Sequence, residues 1–271
     1  MTRTLSALPT MVRVGLAEAV AYRAELLIWV LTTTMPLVML PLWQAVAEAG
    51  PLRGSAAAGS FGADRFLAYF LAAFVVRQLT SAWASWTINH EVKQGVLSMR
   101  LLRPVSPLWA YAIESLSAMP LRLVVALPVA ILMLVSVGST EVTTDPVLLA
   151  MVPVAIAGAW LITFLAHVSV GSLSFWTHSS IRAMDAWTAG FMVLSGYLVP
   201  IALFPELARE LPAWLPFRYQ LGFPVELLTR GLDREAALWG LAAQWTWALV
   251  LGAIATVLWR RGLRRYGAFG G

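Results

Sequence analysis

Long apolar runs separated by short polar segments dominate the chain, and they predict six transmembrane helices. The predicted spans are residues 25–47, 66–88, 108–137, 147–175, 186–203 and 236–259. At about 1.5 Å of rise per residue, about 20 residues cross a hydrocarbon core of about 30 Å, so the fifth run is short and the others are long enough. The pattern predicts an all-α, polytopic membrane protein.

The N-terminal segment, residues 1–22, has the spacing of an amphipathic helix. Leu8, Val12 and Leu16 fall on one face, whereas Arg13 falls on another. We expect this helix to lie in the headgroup plane of the membrane. The alternative is that it forms the first turns of a long first span.

The segment between the fifth and sixth spans, residues 204–235, is too polar to span a membrane and too apolar for an ordinary loop. Pro212, Pro216 and Pro224 divide it into short pieces. We predict two short helices that re-enter the outer face of the membrane, where protein or water must satisfy the free backbone groups. A loop lying on the membrane surface is the alternative.

Composition agrees with a membrane protein. Hydrophobic residues make up 59% of the 271 residues and charged residues 12%, whereas soluble domains carry about 25% charged residues. No segment is polar enough for a soluble domain, so residues 1–271 are predicted to form a single transmembrane domain. The net charge of +5 does not indicate nucleic-acid binding, because the basic residues flank apolar spans instead of forming a patch.

The distribution of basic residues predicts the orientation. Six spans place both termini on one side of the membrane, together with two loops. That side holds eleven of the 19 lysine and arginine residues, namely Arg3, Arg13, Arg23, Lys93, Arg100, Arg103, Arg182, Arg260, Arg261, Arg264 and Arg265, against six on the other side. Since cytoplasmic loops are enriched in lysine and arginine, we expect both termini and the loop 88–107 in the cytoplasm.

The loop 88–107, called the polar turn below, is the strongest candidate for a site. It contains Lys93, the only lysine of the chain. A helix from Glu91 to about Leu101 would offer a small apolar face with charged residues around it, which suits a modest protein interface. The apolar residues are Val92, Val96 and Met99, and the polar ones are Glu91, Lys93, Gln94 and Arg100. A solvated, positively charged loop without a partner is the alternative.

The sequence lacks the motifs of several common catalytic and binding sites. Lys93 precedes Gln94 and follows no glycine pattern, so the chain has no nucleotide-binding P-loop. The histidines are far apart in sequence, and neither H-E-x-x-H nor G-x-S-x-G is present. We therefore expect neither an enzyme nor a bound metal or cofactor. An ion-gradient-driven transporter or channel is one alternative, although transporters usually place acids inside the spans and here only Glu114 lies near the cytoplasmic end of one. A membrane-embedded lipid-modifying enzyme is another, although it would need a cluster of His, Asp or Glu near one interface, and none is evident.

Two arginines fall inside predicted spans, Arg77 in the second and Arg122 in the third. A charge at that depth is costly, so each must face the bundle, a partner or a wet cavity. Both are candidates for a translocation pathway. The alternative is a pairing with carboxylates or free carbonyls, which Pro120 makes the favoured interpretation for Arg122. Gln44, Gln78 and Gln244 are expected to form interhelical hydrogen bonds.

The assembled pattern resembles the permease subunits of type-2 ABC exporters, in their compact six-helix subfamily. The resemblance covers essentially the whole chain and includes the pattern E-x-x-x-G-x-L followed by L-x-x-P-x-S-P at the second cytoplasmic turn. Its positions here are Glu91, Gly95, Leu97, Leu102, Pro104, Ser106 and Pro107. The motif itself is short and degenerate.

The resemblance implies that residues 88–107 form a coupling helix for a separate ABC ATPase subunit, present in two copies, which would bind ATP and Mg. The implied contact residues are Glu91, Val92, Lys93, Gln94, Gly95, Val96, Met99 and Arg100. It also implies a second permease half, as a homodimer or heterodimer, in the lipid bilayer of a bacterial cytoplasmic (inner) membrane. The substrate would be exported, and the apolar interior is compatible with a lipid-like or amphiphilic one.

Overall fold

The fold is helical, with one small strand pair. A computed structural model describes residues 33–50, 52–54, 59–177 and 180–266. The predicted amphipathic helix 1–22 lies outside these residues. The helices are α1 Met35–Glu48, α2 Ala63–Thr80, α3 Ala84–Lys93, α4 Leu97–Leu101, α5 Pro107–Ser117, α6 Met119–Glu141, α7 Pro146–Ser172, α8 Ser180–Leu194, α9 Glu206–Arg209, α10 Pro216–Gln220, α11 Gly222–Leu228 and α12 Arg234–Tyr266. Strands β1 Leu52–Arg53 and β2 Ser60–Phe61 pair antiparallel before α2.

Four of the predicted spans coincide with helical stretches long and apolar enough to cross a membrane. These are Ala63–Lys93, Pro107–Gly138, Pro146–Phe175 and Arg234–Tyr266. They correspond to the second, third, fourth and sixth predicted spans. The first of them contains α2 and α3, and the second contains α5 and α6, so each of these two is interrupted.

The two other predicted spans are not confirmed as spans. Only the later part of 25–47 is described, where α1 has 14 residues. The region 186–203 holds α8, which begins earlier, at Ser180, and ends at Leu194 after 15 residues. A helix of that length rises about 22 Å, which is short of a core of about 30 Å. Six spans therefore stay a prediction.

The end of α8 is set by a sharp bend at Gly196. This glycine has a φ of 88°, in the left-handed region that favours glycine. Its carbonyl accepts a hydrogen bond from the Tyr69 hydroxyl at 2.8 Å, and a Cβ at this position would overlap that hydroxyl. The bend therefore ends α8 before it reaches the predicted boundary.

Helix α2 belongs to the most buried of the four candidate spans. In the most apolar part of Ala63–Lys93, 72% of residues are buried, against 22% in Pro107–Gly138 and in Arg234–Tyr266. Phe66, Phe70 and Phe74 of α2 are completely or almost completely buried, and the first two rings stack with centroids 6.3 Å apart. The outer helices α6 and α12 instead expose long apolar faces, which is the pattern of surfaces covered by lipid or by another membrane protein.

Helices α7 and α12 approach closely at a glycine. A Cβ on Gly158 would lie 2.6 Å from Oε1 of Gln244. The amide nitrogen of Gln244 donates to the carbonyl oxygens of Ala155 and Tyr219, at 2.9 and 2.8 Å. Small residues and interhelical amides are the usual contacts between membrane helices. The predicted interhelical role of Gln244 is confirmed, whereas Gln78 donates to Thr33, in the turn before α1, at 2.8 Å.

The segment 204–235 is divided into more pieces than predicted. It contains α9, a 3-10 turn at Leu211–Trp214, α10 and α11. Its first half exposes Leu207 and Trp214, whereas Phe223 and Leu227 of α11 are fully buried against α7. Pro212 and Pro216 lie at the starts of the 3-10 turn and of α10, as the sequence predicts, whereas Pro224 lies within the first turn of α11 and the break before that helix is at Leu221. The second half is a packed part of the bundle, and its depth in a membrane stays a prediction.

Candidate functional site

The polar turn is built around Gly95, where the chain reverses between α3 and α4. Gly95 has a φ of 73°, which is the left-handed conformation that commonly ends a helix at glycine. Its carbonyl accepts hydrogen bonds from the Tyr266 hydroxyl at 3.0 Å and from the Ser98 hydroxyl at 2.7 Å. The predicted single helix from Glu91 to about Leu101 is therefore wrong, since it is two helices with a glycine turn between them.

A charge cluster of Glu91, Arg100, Tyr111 and Glu114 fixes the turn to the spans on either side. One terminal nitrogen of Arg100 lies 2.6 Å from Glu91, and the other lies 2.7 Å from Glu114. The Tyr111 hydroxyl donates to the second oxygen of Glu91 at 2.5 Å, and the guanidinium lies 4.5 Å from the centre of the Tyr111 ring. The cluster thus links α3, α4 and α5.

Electrostatics favours the charged form of Arg100 in this cluster. Burial would lower the pKa of its guanidinium, but the hydrogen bond to Glu114 and the charges of Glu114 and Glu91 outweigh burial and raise the pKa above its ordinary value. Glu91 is 6% exposed. A buried carboxylate of this kind needs its cationic and hydroxyl partners, because an unpaired buried charge is strongly destabilising.

The predicted contact residues divide into buried and exposed groups. Glu91 is buried, and Val92 and Arg100 are half-buried, so these three lie largely beneath the surface of the turn. Lys93, Gln94, Gly95, Val96 and Met99 are exposed. Glu91 and Arg100 therefore act inside the turn, in contrast to the predicted charged rim.

Four exposed apolar side chains, called the apolar tip below, stand out within residues 96–102. They are Val96, Met99, Leu101 and Leu102, with Leu102 81% exposed. Leu101 and Leu102 are missing from the predicted contact residues, although Leu102 is a position of the motif, because leucines in a short helix resemble core residues until their exposure is known. Leu97, between Val96 and Met99, is fully buried and anchors the tip.

A second feature is the break between α2 and α3, at residues 81–83. The Ser81 hydroxyl donates to the Arg77 carbonyl at 2.7 Å, and a terminal nitrogen of Arg122 donates to the Ser81 carbonyl at 2.9 Å. Arg122 is 5% exposed and satisfies a carbonyl that the break leaves free. The sequence suggests a carbonyl freed by Pro120 as its partner, whereas the structure places the partner on the neighbouring span.

Arg77 lies in the last turn of α2, just before the break. It lines a cavity of about 270 Å³, called the Arg77 cavity below. The guanidinium lies 4.8 Å from the centre of the Phe191 ring and also contacts the Tyr197 hydroxyl. Other lining residues are Trp83, Trp86, Thr163, His167, Asp185, Trp187, Thr188 and Gln220. The cavity combines aromatic walls with a small number of polar groups, which is typical of small-molecule sites.

The two predicted intramembrane arginines are thus close together but have different surroundings. Both side chains are positively charged, so they repel each other. Arg122 lines a smaller cavity of about 130 Å³ with Trp83, Tyr111 and Glu114. Within residues 33–50, 52–54, 59–177 and 180–266, no group of three or more His, Asp or Glu residues could hold a metal ion.

Comparison with known proteins places these features in a family. The family model described as ABC-2 family transporter protein matches residues 63–270. This match begins at α2 and includes the polar turn, the Arg77 cavity and α12. A search of curated proteins finds no match to the chain.

Proposed function

The chain belongs to the ABC-2 family of transporter proteins as a membrane-spanning permease subunit, and from that premise we propose that a separate ATPase drives it by docking on the polar turn. Permeases of this family in general work with a partner ATPase and in dimeric assemblies. The observation that carries the proposal is the apolar tip, which exposes four apolar side chains on a turn held by a buried ion pair.

The tip has the chemistry of a modest protein interface. Apolar side chains such as Met99 and Leu102 supply area that water leaves on binding, and Lys93, Gln94 and Arg103 are exposed around them. Isolated exposed apolar residues are ordinary on protein surfaces, but four within seven positions of a polar segment form a candidate hot spot. We therefore assign the docking contacts to the tip and its exposed neighbours.

The charge cluster beneath the tip would transmit the movement of the ATPase. Arg100 joins α4 to α3 through Glu91 and to α5 through Glu114. A push on the tip would therefore move both spans as one body. Helix α3 begins directly after the break at residues 81–83, beside the Arg77 cavity. Small shifts of packed helices between two arrangements are an established way to open and close a pathway.

The rest of the proposed assembly follows the family. Two ATPase subunits bind ATP and Mg, while this chain binds no cofactor and catalyses no hydrolysis itself. A second permease half, identical or different, completes the pathway, and the exposed apolar faces of α6 and α12 are available for it and for lipid. The complex exports an amphiphilic or lipid-like substrate across a bacterial cytoplasmic membrane, with both termini and the polar turn in the cytoplasm.

Matched leucine substitutions at opposite ends of the bundle test the docking proposal. Leu102 in the tip and Leu207 in α9 are both highly exposed. We expect Leu102→Asp to reduce co-purification of the ATPase with the permease and to abolish the dependence of its ATP hydrolysis on the permease. Leu207→Asp should leave both unchanged. Normal ATPase binding by the Leu102→Asp variant, with the chain still inserted, would show that the tip is not the docking site.

A further inference from the structure

We infer that the Arg77 cavity binds the anionic headgroup of an amphiphile, through Arg77 and Gln220. The inference rests on the proposed transport function and names the class of substrate. It is carried by two buried hydrogen-bond donors of residues that line the same cavity, neither of which has a partner among the described residues. These are Nε of Arg77 and the side-chain nitrogen of Gln220.

Arg77 has a positive charge that no carboxylate neutralises among the described residues. The ion pairs there involve Arg100, Arg218 and Arg234. The contacts of Arg77 are the Phe191 ring and the Tyr197 hydroxyl, which are neutral. The nearby charge of Arg122 has the same sign. Since a buried, unneutralised cation is costly within a membrane, the site gains free energy from an anion.

Gln220 supplies the second, independent observation. Its side chain is 2% exposed, and its carbonyl oxygen accepts a hydrogen bond from Thr163 at 3.3 Å. Thr163 shares its hydroxyl hydrogen between this oxygen and the Ala159 carbonyl at 2.9 Å, and the side-chain nitrogen of Gln220 has no acceptor among the described residues. Buried polar groups in proteins almost always have partners, so an orphaned donor on a cavity wall indicates a place for an acceptor oxygen.

The other polar groups of the cavity are compatible with an anion. Thr163 and Thr188 donate their hydroxyl hydrogens to the carbonyls of Ala159 and Met184, at 2.9 and 2.8 Å. His167 bonds to the Ser85 hydroxyl through Nδ1 at 2.8 Å. Among the described residues that line the cavity, Asp185 is the only carboxylate, and it is exposed. It lies six residues from Phe191 on α8, a rise of about 9 Å, so it belongs to the rim.

Apolar walls complete the chemistry of the ligand. Trp83, Trp86 and Trp187 line the cavity with Phe191. A volume of about 270 Å³ holds a phosphate or carboxylate group with several methylenes but not a whole lipid. We therefore assign to the cavity the headgroup and the first part of the chain, while the remaining chain leaves through the open side. Phosphate and carboxylate groups share the acceptor oxygens that arginine recognises.

Thermal unfolding of the full chain, purified in a neutral maltoside detergent, tests the inference without the ATPase. Three probes are titrated, namely hexyl phosphate, inorganic phosphate and hexyltrimethylammonium. A ligand that binds the folded state raises the unfolding temperature with its concentration. We expect hexyl phosphate to stabilise the chain and hexyltrimethylammonium to have no effect. Equal binding of inorganic phosphate would overturn the assignment to an amphiphile, because a small anion would then be the ligand of the same site.

Variants locate the binding. Arg77→Gln and Gln220→Leu should each weaken the affinity for hexyl phosphate about tenfold, since each removes a hydrogen bond to a charged group, and Arg77→Lys should lose less. Arg260→Gln removes an exposed charge elsewhere and should have no effect. Stabilisation by the cation, no stabilisation by either anion, or unchanged affinity in both cavity variants would overturn the inference. Loss of affinity in Arg65→Gln alone would move the site to the cavity of about 190 Å³ beside Arg65 and would also overturn it. None of these results depends on ATPase docking.

Discussion

Replacing Arg100 by methionine should destabilise the protein far more than its position in a surface turn suggests. Arg100 pairs with Glu91 at 2.6 Å and with Glu114 at 2.7 Å. The side chain of Glu91 is 8% exposed and that of Glu114 is 43% exposed. The two ion pairs therefore differ in solvent screening, although their lengths are nearly equal.

The expected magnitude follows from that difference in burial. Removing one partner of a buried pair costs about 3–5 kcal/mol, because the remaining charge stays buried without compensation. Removing an exposed pair costs about 0–1 kcal/mol. We expect Arg100→Met to lower the free energy of unfolding by about 3 kcal/mol, since Arg100 itself keeps partial exposure. Glu114→Gln should lower it by less than about 1 kcal/mol.

Equilibrium unfolding in mixed dodecyl sulfate and maltoside micelles measures the loss of unfolding free energy in Arg100→Met and in Glu114→Gln. The double variant Glu91→Leu with Arg100→Met provides the control, because it removes both buried charges and should recover most of the lost stability. The Tyr111 hydroxyl would then lack its acceptor, which limits the recovery by about 1 kcal/mol. If Arg100→Met and Glu114→Gln lowered the free energy equally, the charge cluster would not be the structural core of the turn.

Three further predictions concern other parts of the fold. Arg122→Met removes the donor that satisfies a carbonyl in the break after α2, and should cost about 1–3 kcal/mol in the same unfolding titration; no loss would show that the break does not need this donor. Gly196→Ala forces a Cβ against the Tyr69 hydroxyl at a φ of 88°, and should cost about 1 kcal/mol or more, whereas unchanged stability would remove the bend as the cause of the α8 end. Hydrogen bonds from Arg234 and the backbone lower the pKa of Asp145, so its contribution to stability is present above about pH 4 and is lost as the pH falls further. Unfolding temperatures measured from pH 6 to pH 3 should fall more steeply for the native chain than for Asp145→Asn, and parallel curves would contradict this.

The sequence alone predicts the helices that form from one long apolar run of residues. Four apolar runs coincide with helices that can cross a membrane, because an apolar run of sufficient length has few other stable states in a bilayer. The prediction of a span at 186–203 is not confirmed. The apolar run contains no signal for the bend at Gly196, which depends on a hydrogen bond from Tyr69 in a distant helix. The packing of the short helices α10 and α11 into the bundle could not be predicted from the sequence either, because Phe223 and Leu227 are buried by contacts with a helix that is distant in sequence.

The roles of the charged residues in the site could likewise not be predicted from the sequence alone. The sequence identifies the polar turn and its motif, but charge alone suggests that Glu91 and Arg100 face water. The structure buries Glu91 because Tyr111 and Arg100 converge on it from different helices. Similarly, the sequence places Arg77 and Arg122 in the membrane, and only their surroundings distinguish a structural donor from an arginine that lines a cavity. Contacts between distant segments decide these roles.

The most direct test of the account is photo-crosslinking from the apolar tip in the intact transporter. The chain contains no cysteine, so a single cysteine at Leu102 or at Leu207 can carry a photoreactive maleimide. We predict a crosslink to the ATPase from position 102, enhanced or altered by ATP, and none from position 207. A crosslink to the ATPase from position 207, with none from position 102, would contradict the claim that the polar turn is where the ATPase docks.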